Sequence, residues 1–263
     1  MDVLRYVVIF LGFVLAGGIN AVAGGGTVFS FTGLLWGGLP SIMANATNAA
    51  ALVPGSVTAT WAYREDLKKS LRPLFVLLIP TILGSLAGAN AVLITSEQTF
   101  RRIVPFLVLF AVLVFAGRNF VSQIGKRKMQ YANPAFENGI SPTGYVLGCL
   151  LQFVIAFYGG YFGAGIGILM LTSFNVMGMR DVHRMNSIKT TLAAFINGTA
   201  AIRFFADGKI DVPVAMLGAV GAAIGGYVLA RIAKRIPQPT LRIMIVGAGL
   251  VVTAYMFYRF WLS

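Results

Sequence analysis

Residues 7–63 pass without one charged side chain. No soluble core needs an uncharged run of that length, whereas about 20 apolar residues cross the hydrocarbon of a bilayer as a single helix. Comparable apolar runs recur to the end of the chain. Composition agrees: of 263 residues 57% are hydrophobic and 11% charged, against roughly 45–50% and about 25% in soluble domains. The expected fold class is therefore an all-α polytopic membrane protein, and soluble enzyme classes are excluded.

The net charge of +13 would indicate nucleic-acid binding in a soluble domain. Here the cations stand in short clusters between apolar runs, where the excess of Lys and Arg in cytoplasmic loops accounts for them. No nucleic-acid partner is expected. A single cysteine, Cys149, excludes an internal disulfide, and no Cys/His cluster points to a metal. The first 23 residues resemble a signal peptide, yet they lead into more membrane-spanning sequence rather than a soluble domain. They are read as the first transmembrane helix.

Apolar segments fall at 3–23, 27–39, 43–62, 73–94 and 103–120, and again at 143–162, 164–178, 186–205, 212–230 and 240–260. Between the sets lies a polar stretch, 122–142, with Lys126, Arg127 and Lys128 and turn-forming Asn-Pro and Ser-Pro pairs. The chain divides into a first repeat (1–121), a cytoplasmic linker (122–142) and a second repeat (143–263). The repeats match in order. Gly24, Gly25 and Gly26 fall opposite Gly163, Ala164 and Gly165 at an offset of 139. Asn48 falls opposite Asn186 at 138, and Gly84 and Gly88 opposite Gly221 and Gly225 at 137. Transporters are commonly built from such repeats, with the site between them.

The short second segment of each half decides the topology. If it turns back without crossing, the chain crosses eight times with re-entrant segments, and Lys and Arg divide 12 to 8 between the faces. If it crosses, there are ten crossings, two of them short or broken, in two five-segment inverted repeats. The cations then divide 14 to 6, Lys189 set aside as intramembrane. The second arrangement obeys the charge rule better. It puts both termini outside the cytoplasm of a bacterial inner membrane. A segment of roughly 14 residues spans only about 21 Å of a 30 Å core, so these are expected as half-helices beside the glycine runs.

Three successive glycines inside an apolar span break a helix, at about 1 kcal/mol each against alanine. A break exposes backbone N–H groups and the positive end of the next half-helix, for which an anion is the natural partner. Gly24, Gly25, Gly26, Gly163 and Gly165 are therefore candidate substrate residues. Gly84, Gly88, Gly221 and Gly225 read instead as close helix packing. A second constellation is polar: Thr47, Asn48, Asn186, Lys189 and Asn197, whose amides, hydroxyl and ammonium suit an oxyanion. Asn20, Asn45 and Arg203 are secondary candidates, Arg203 because it stands near a helix end where it can snorkel.

All eight acids fall in loops, termini or segment edges, whereas cation-driven carriers commonly keep an acid in the membrane. The inventory suits an anionic cargo. No acid pair, Ser/His pair, metal set or nucleotide loop is present, so neither an enzyme nor a cofactor is expected. The alternative to a self-sufficient carrier is a membrane subunit for another small anion or metabolite that needs a partner protein. A homo-oligomer remains compatible.

Gly24 to Gly26, Ala46-Thr47-Asn48 and the step from Trp61 to Arg64 resemble the TauE/SafE sulfite exporter family. Gly163 and Gly165, Asn186 with Lys189, and the loop from Asp207 to Asp211 extend the resemblance through the second half. It implies a transporter of sulfite, sulfonates and related organosulfur anions across the bacterial inner membrane, with alternating access at the repeat interface.

Overall fold

Where the chain crosses apolar hydrocarbon, each backbone N–H must be satisfied inside its own segment, and helix is what the sequence forms. The computed structural model describes residues 3–22, 24–117, 140–179, 181–233 and 238–262, among which there is no strand. The first half comprises α1 (Val3–Val22), α2 (Thr27–Trp36), α3 (Ser41–Ala62), a short surface helix α4 (Arg64–Lys68), α5 (Leu71–Ile94) and α6 (Glu97–Ala116). The second comprises α7 (Pro142–Tyr161), α8 (Ile166–Met177), α9 (Val182–Ala206), α10 (Val212–Ala233) and α11 (Gln238–Phe257), with a closing π-turn, Tyr258–Leu262. Most of the 122–142 linker, including Lys126, Arg127 and Lys128, lies outside the described residues.

Local chemistry sets the helix starts. Ser96, Ser141 and Asp181 cap α6, α7 and α9, each side chain accepting a first-turn amide. Pro142 opens α7, where its missing N–H costs nothing. No side chain of its own caps α3. Glu97, at the start of α6, reaches across to accept from the amides of Ser41 and Ile42. This fixes the starts of α3 and α6 at one end of the bundle.

The direction of the short helices settles the repeat. A Cβ on Gly26 would strike the backbone of Ala16, and one on Gly37 would meet Ile9; Gly38 lies beside Arg5. So α2 runs back along α1 to the end where α1 began. In the second half, Gly159 faces Ile166 while Gly144 and Gly148 face Met177, so α8 likewise returns to the start of α7. The starting ends are opposite. Gly84 and Gly88 of α5 abut Phe153 and Phe157 of α7 in parallel, and Gly221 and Gly225 of α10 abut Phe10 and Val14 of α1 in parallel. Because α5 runs opposite to α3, α7 runs opposite to α1. The repeat is inverted. Ten and 12 residues make α2 and α8 about 15 and 18 Å long, half of a bilayer core.

Packing follows the symmetry: α1 on α10, α5 on α7, and α3 crossing α9 at the centre. The glycines at the two outer seams leave no room for a side chain, which is the small-residue packing expected of them. Exposed apolar side chains recur every fourth residue on the outer helices: Val7, Leu11 and Leu15; Phe75, Ile79 and Leu83; Val146, Leu150 and Val154. That spacing marks one lipid-facing stripe per helix. Among the described residues, four helices are long and apolar enough to cross a membrane by length and composition alone: α1, α5, α6 and α7. By contrast α3 and α9, 22 and 25 residues long, are the polar pair, and they occupy the middle. Among described side chains, Arg64, Lys68, Lys69, Arg72 and Arg184 stand at one end of the bundle. Arg5, Arg101, Arg102, Arg203, Lys209 and Arg259 stand at the other.

Candidate substrate site at the meeting of two broken helices

The chain between α1 and α2 turns through positive φ at Gly24 (71°) and Gly25 (133°); that between α7 and α8 does so at Gly163 (81°) and Gly165 (79°). Only glycine adopts these conformations at little cost. The first turn touches the start of α8. A Cβ on Gly24 would lie 2.9 Å from the Cα of Gly167, and one on Gly167 would lie 3.1 Å from the Cα of Gly24 and 3.4 Å from Cδ of Lys189. Gly167 thus makes room for both the opposite turn and the lysine stem.

Beside this contact is a cavity of about 50 Å³. At roughly 10–15 Å³ for each water-sized group, it holds about four such groups. Both halves line it. The first contributes Asn20, Gly24, Gly25, Thr27 and Ser56; the second contributes Gly163, Gly167, Lys189, Thr190 and Asn197. No carboxylate is among the described residues that line it. Lys189 is 2% exposed, and its Nζ donates to Oδ1 of Asn186 at 2.9 Å, one turn nearer the start of α9. The side chain of Asn197 makes no hydrogen bond to another described residue. Among the described residues no group of three or more His, Cys, Asp or Glu side chains is placed to hold a metal.

The expected site residues therefore separate. Asn20, Gly24, Gly25, Gly163, Lys189 and Asn197 come together on the cavity wall. Gly26 and Gly165 do not; they press against Ala16 and Ala111. Asn45 donates to the carbonyl of Tyr161 at 3.0 Å, and Thr47 accepts the amide of Asp211 at 3.0 Å. Both bind α3 to the other half. Asn186 reaches the cavity only through Lys189. Asn48 is 2% exposed, lies a turn from the cavity residue Leu52, and its Oδ1 has no hydrogen-bond partner. Arg203 stands at the far end, donating to Asn90 at 2.7 Å and paired with Asp207 at 2.6 Å.

One expectation is corrected by the geometry. The amides of the first glycine run were expected to face an anion. Instead the amide of Gly24 donates to the carbonyl of Ile19 at 3.0 Å, and those of Gly25 and Gly26 donate to Oδ1 of Asn20 at 2.9 and 2.8 Å. Three donors in hydrocarbon demand acceptors, and the chain supplies them itself. Sequence reasoning also missed Ser56 and Thr27. Ser56 was within reach, since it continues the face of Asn48 and Leu52 by one further turn.

A duplicated and inverted helical core, broken at its centre around a small polar cavity, defines a membrane transporter. Comparison with known proteins agrees. The chain belongs to the sulfite exporter TauE/SafE family, whose model matches residues 9–256. It is 28% identical over 255 residues to a "Probable membrane transporter protein" of Haemophilus influenzae, covering 94% of this chain and 92% of that one. It is 26% identical over 252 residues to the "Probable membrane transporter protein YfcA" of Escherichia coli K12, covering 95% and 89%. A Sinorhizobium protein, "Probable membrane transporter protein ORF9", is 24% identical over 246 residues, covering 92% and 90%. No solved structure matches the chain.

Proposed function

We propose that this protein is a secondary transporter of small sulfur-containing anions, namely sulfite, sulfonates or related organosulfur acids, across the bacterial inner membrane. The observation that carries the reading is Lys189, almost wholly buried on the wall of a cavity bounded by both repeats, with no carboxylate among its described lining residues. A cation at such depth is costly and is usually kept for function. An anion among Lys189, Thr190, Asn197 and Asn20 would gain hydrogen bonds, charge-assisted at the lysine. Both repeats line the cavity, and rocking of one against the other would open it to each side in turn. Membership of a sulfite exporter family supports the cargo.

Purified protein, alone in proteoliposomes loaded with sulfite, is expected to show saturable counterflow. Absence of flux until a partner protein is added would make it a membrane subunit instead. The basic end carrying Lys68 is proposed as cytoplasmic. In a Cys149→Ala background, a cysteine at position 209 should label in intact cells and one at position 68 should not; the reverse pattern refutes this orientation.

A further inference from the structure

The cavity wall holds one side chain with two ends and only one of them engaged. Oδ1 of Asn20 accepts from the amides of Gly25 and Gly26, and its NH2 group makes no hydrogen bond to another described residue. Two converging N–H donors fix which end of the amide is oxygen, because the flipped amide would set donors against donors. The half-buried Asn20 lines the cavity, and its NH2 lies on the opposite edge of the carboxamide from the glycine turn.

We infer that Asn20 is the hydrogen-bond donor of the first half to the transported oxyanion, its NH2 aimed into the cavity by a glycine turn that holds its oxygen. The inference rests on the transport reading given above. The turn's amides thereby act on the anion through Asn20 rather than directly. The residue type fits. For holding two amides at the start of a helix, Asp serves as well as Asn and gains from the helix dipole. Only Asn also presents a donor, and without the negative charge that would repel an anion. The second half has no counterpart. At the offset of 139 stands Gly159, where a Cβ would lie 2.7 Å from Cγ2 of Ile196, so no side chain fits. There the second half contributes Lys189 and Asn197 instead.

Asn20→Asp separates donor from clamp, because its carboxylate still accepts both amides but offers the cavity no donor. Wild type, Asn20→Asp and Asn20→Ala would be compared by thermal unfolding in detergent and by sulfite counterflow in liposomes. Expected is wild-type melting for Asn20→Asp, with the half-saturating sulfite concentration raised at least tenfold; Asn20→Ala should lose both stability and transport. Wild-type transport by Asn20→Asp would overturn the inference and leave Asn20 a clamp. Melting of Asn20→Asp as low as that of Asn20→Ala would overturn the assigned orientation. A wild type that moves no sulfite refutes the transport reading itself, and is distinguishable because it precedes any variant.

Discussion

The two glycine turns at the centre of this protein both interrupt a helix pair, and they differ in backbone path, Gly26 at φ −63° standing opposite Gly165 at φ 79°, and in how they are held. The turn before α2 is clamped by a side chain, Asn20, through two amides. The turn before α8 is tied by Tyr158. Its carbonyl accepts the amide of Gly163 at 3.1 Å, and its hydroxyl donates to the carbonyl of Ala164 at 2.8 Å. The division continues in the crossing helices. Lys189 of α9 stands opposite Ala51 of α3 at the offset of 138, and Ala51 is fully buried. Duplication thus preserves the backbone break, which any central site in such a fold requires. The polar groups around it have parted: the second half carries the charge, while the first shapes the wall and provides a neutral donor.

The largest effect should come from removing that charge. Lys189→Met is expected to lower sulfite counterflow about 10- to 100-fold, the measure of losing a hydrogen bond to a charged group, roughly 1.5–3 kcal/mol. Lys189→Arg should keep part of the activity. Near-normal flux in Lys189→Met would remove the asymmetry between the halves as a functional fact.

Next is the contact between the first turn and the start of α8. Gly24→Ala and Gly208→Ala both place a side chain at positive φ, 71° and 64°, at about 1–2 kcal/mol each. A Cβ at 208 has nothing within 4 Å, whereas one at 24 meets Gly167. Gly24→Ala should therefore unfold at a clearly lower temperature than Gly208→Ala. Equal melting would show that the first turn and α8 have slack between them. The smallest effect is expected for Tyr158→Phe, which removes one hydroxyl bond worth about 0.5–1.5 kcal/mol. Its loss of stability should be less than that of Asn20→Ala, which frees two amides. The opposite order would mean that the second turn, not the first, is the tightly held one.

Much of the architecture was legible in the sequence because hydropathy and charge are properties of position along the chain. The segments at 73–94 and 143–162 appear as Leu71–Ile94 and Pro142–Tyr161. The 14-to-6 division of cations led to the inverted repeat that the direction of α2 and α8 displays. The surface helix α4 was not foreseen; five residues give too short a period to read. The site was legible in residue type and only partly in place. Thr47, Asn48 and Asn186 are polar and central but do not line the cavity: Thr47 holds Asp211, Asn186 holds Lys189, and Oδ1 of Asn48 is left without a partner.

By itself, then, the sequence determined a membrane protein made of two matched halves, broken at two glycine runs, with one lysine stranded between charged loops. A bilayer admits few folds, and each of these features is a local consequence of burying backbone in hydrocarbon. Which donors face the cavity was decided only by the tertiary structure. That depends on which acceptor reaches each N–H first, and Asn20 sits within 3 Å of amides that the sequence left open to an anion. The same holds for Thr47, whose partner Asp211 lies 164 residues away. Hydrogen bonds between distant segments follow from packing, and packing is not written in the order of residues.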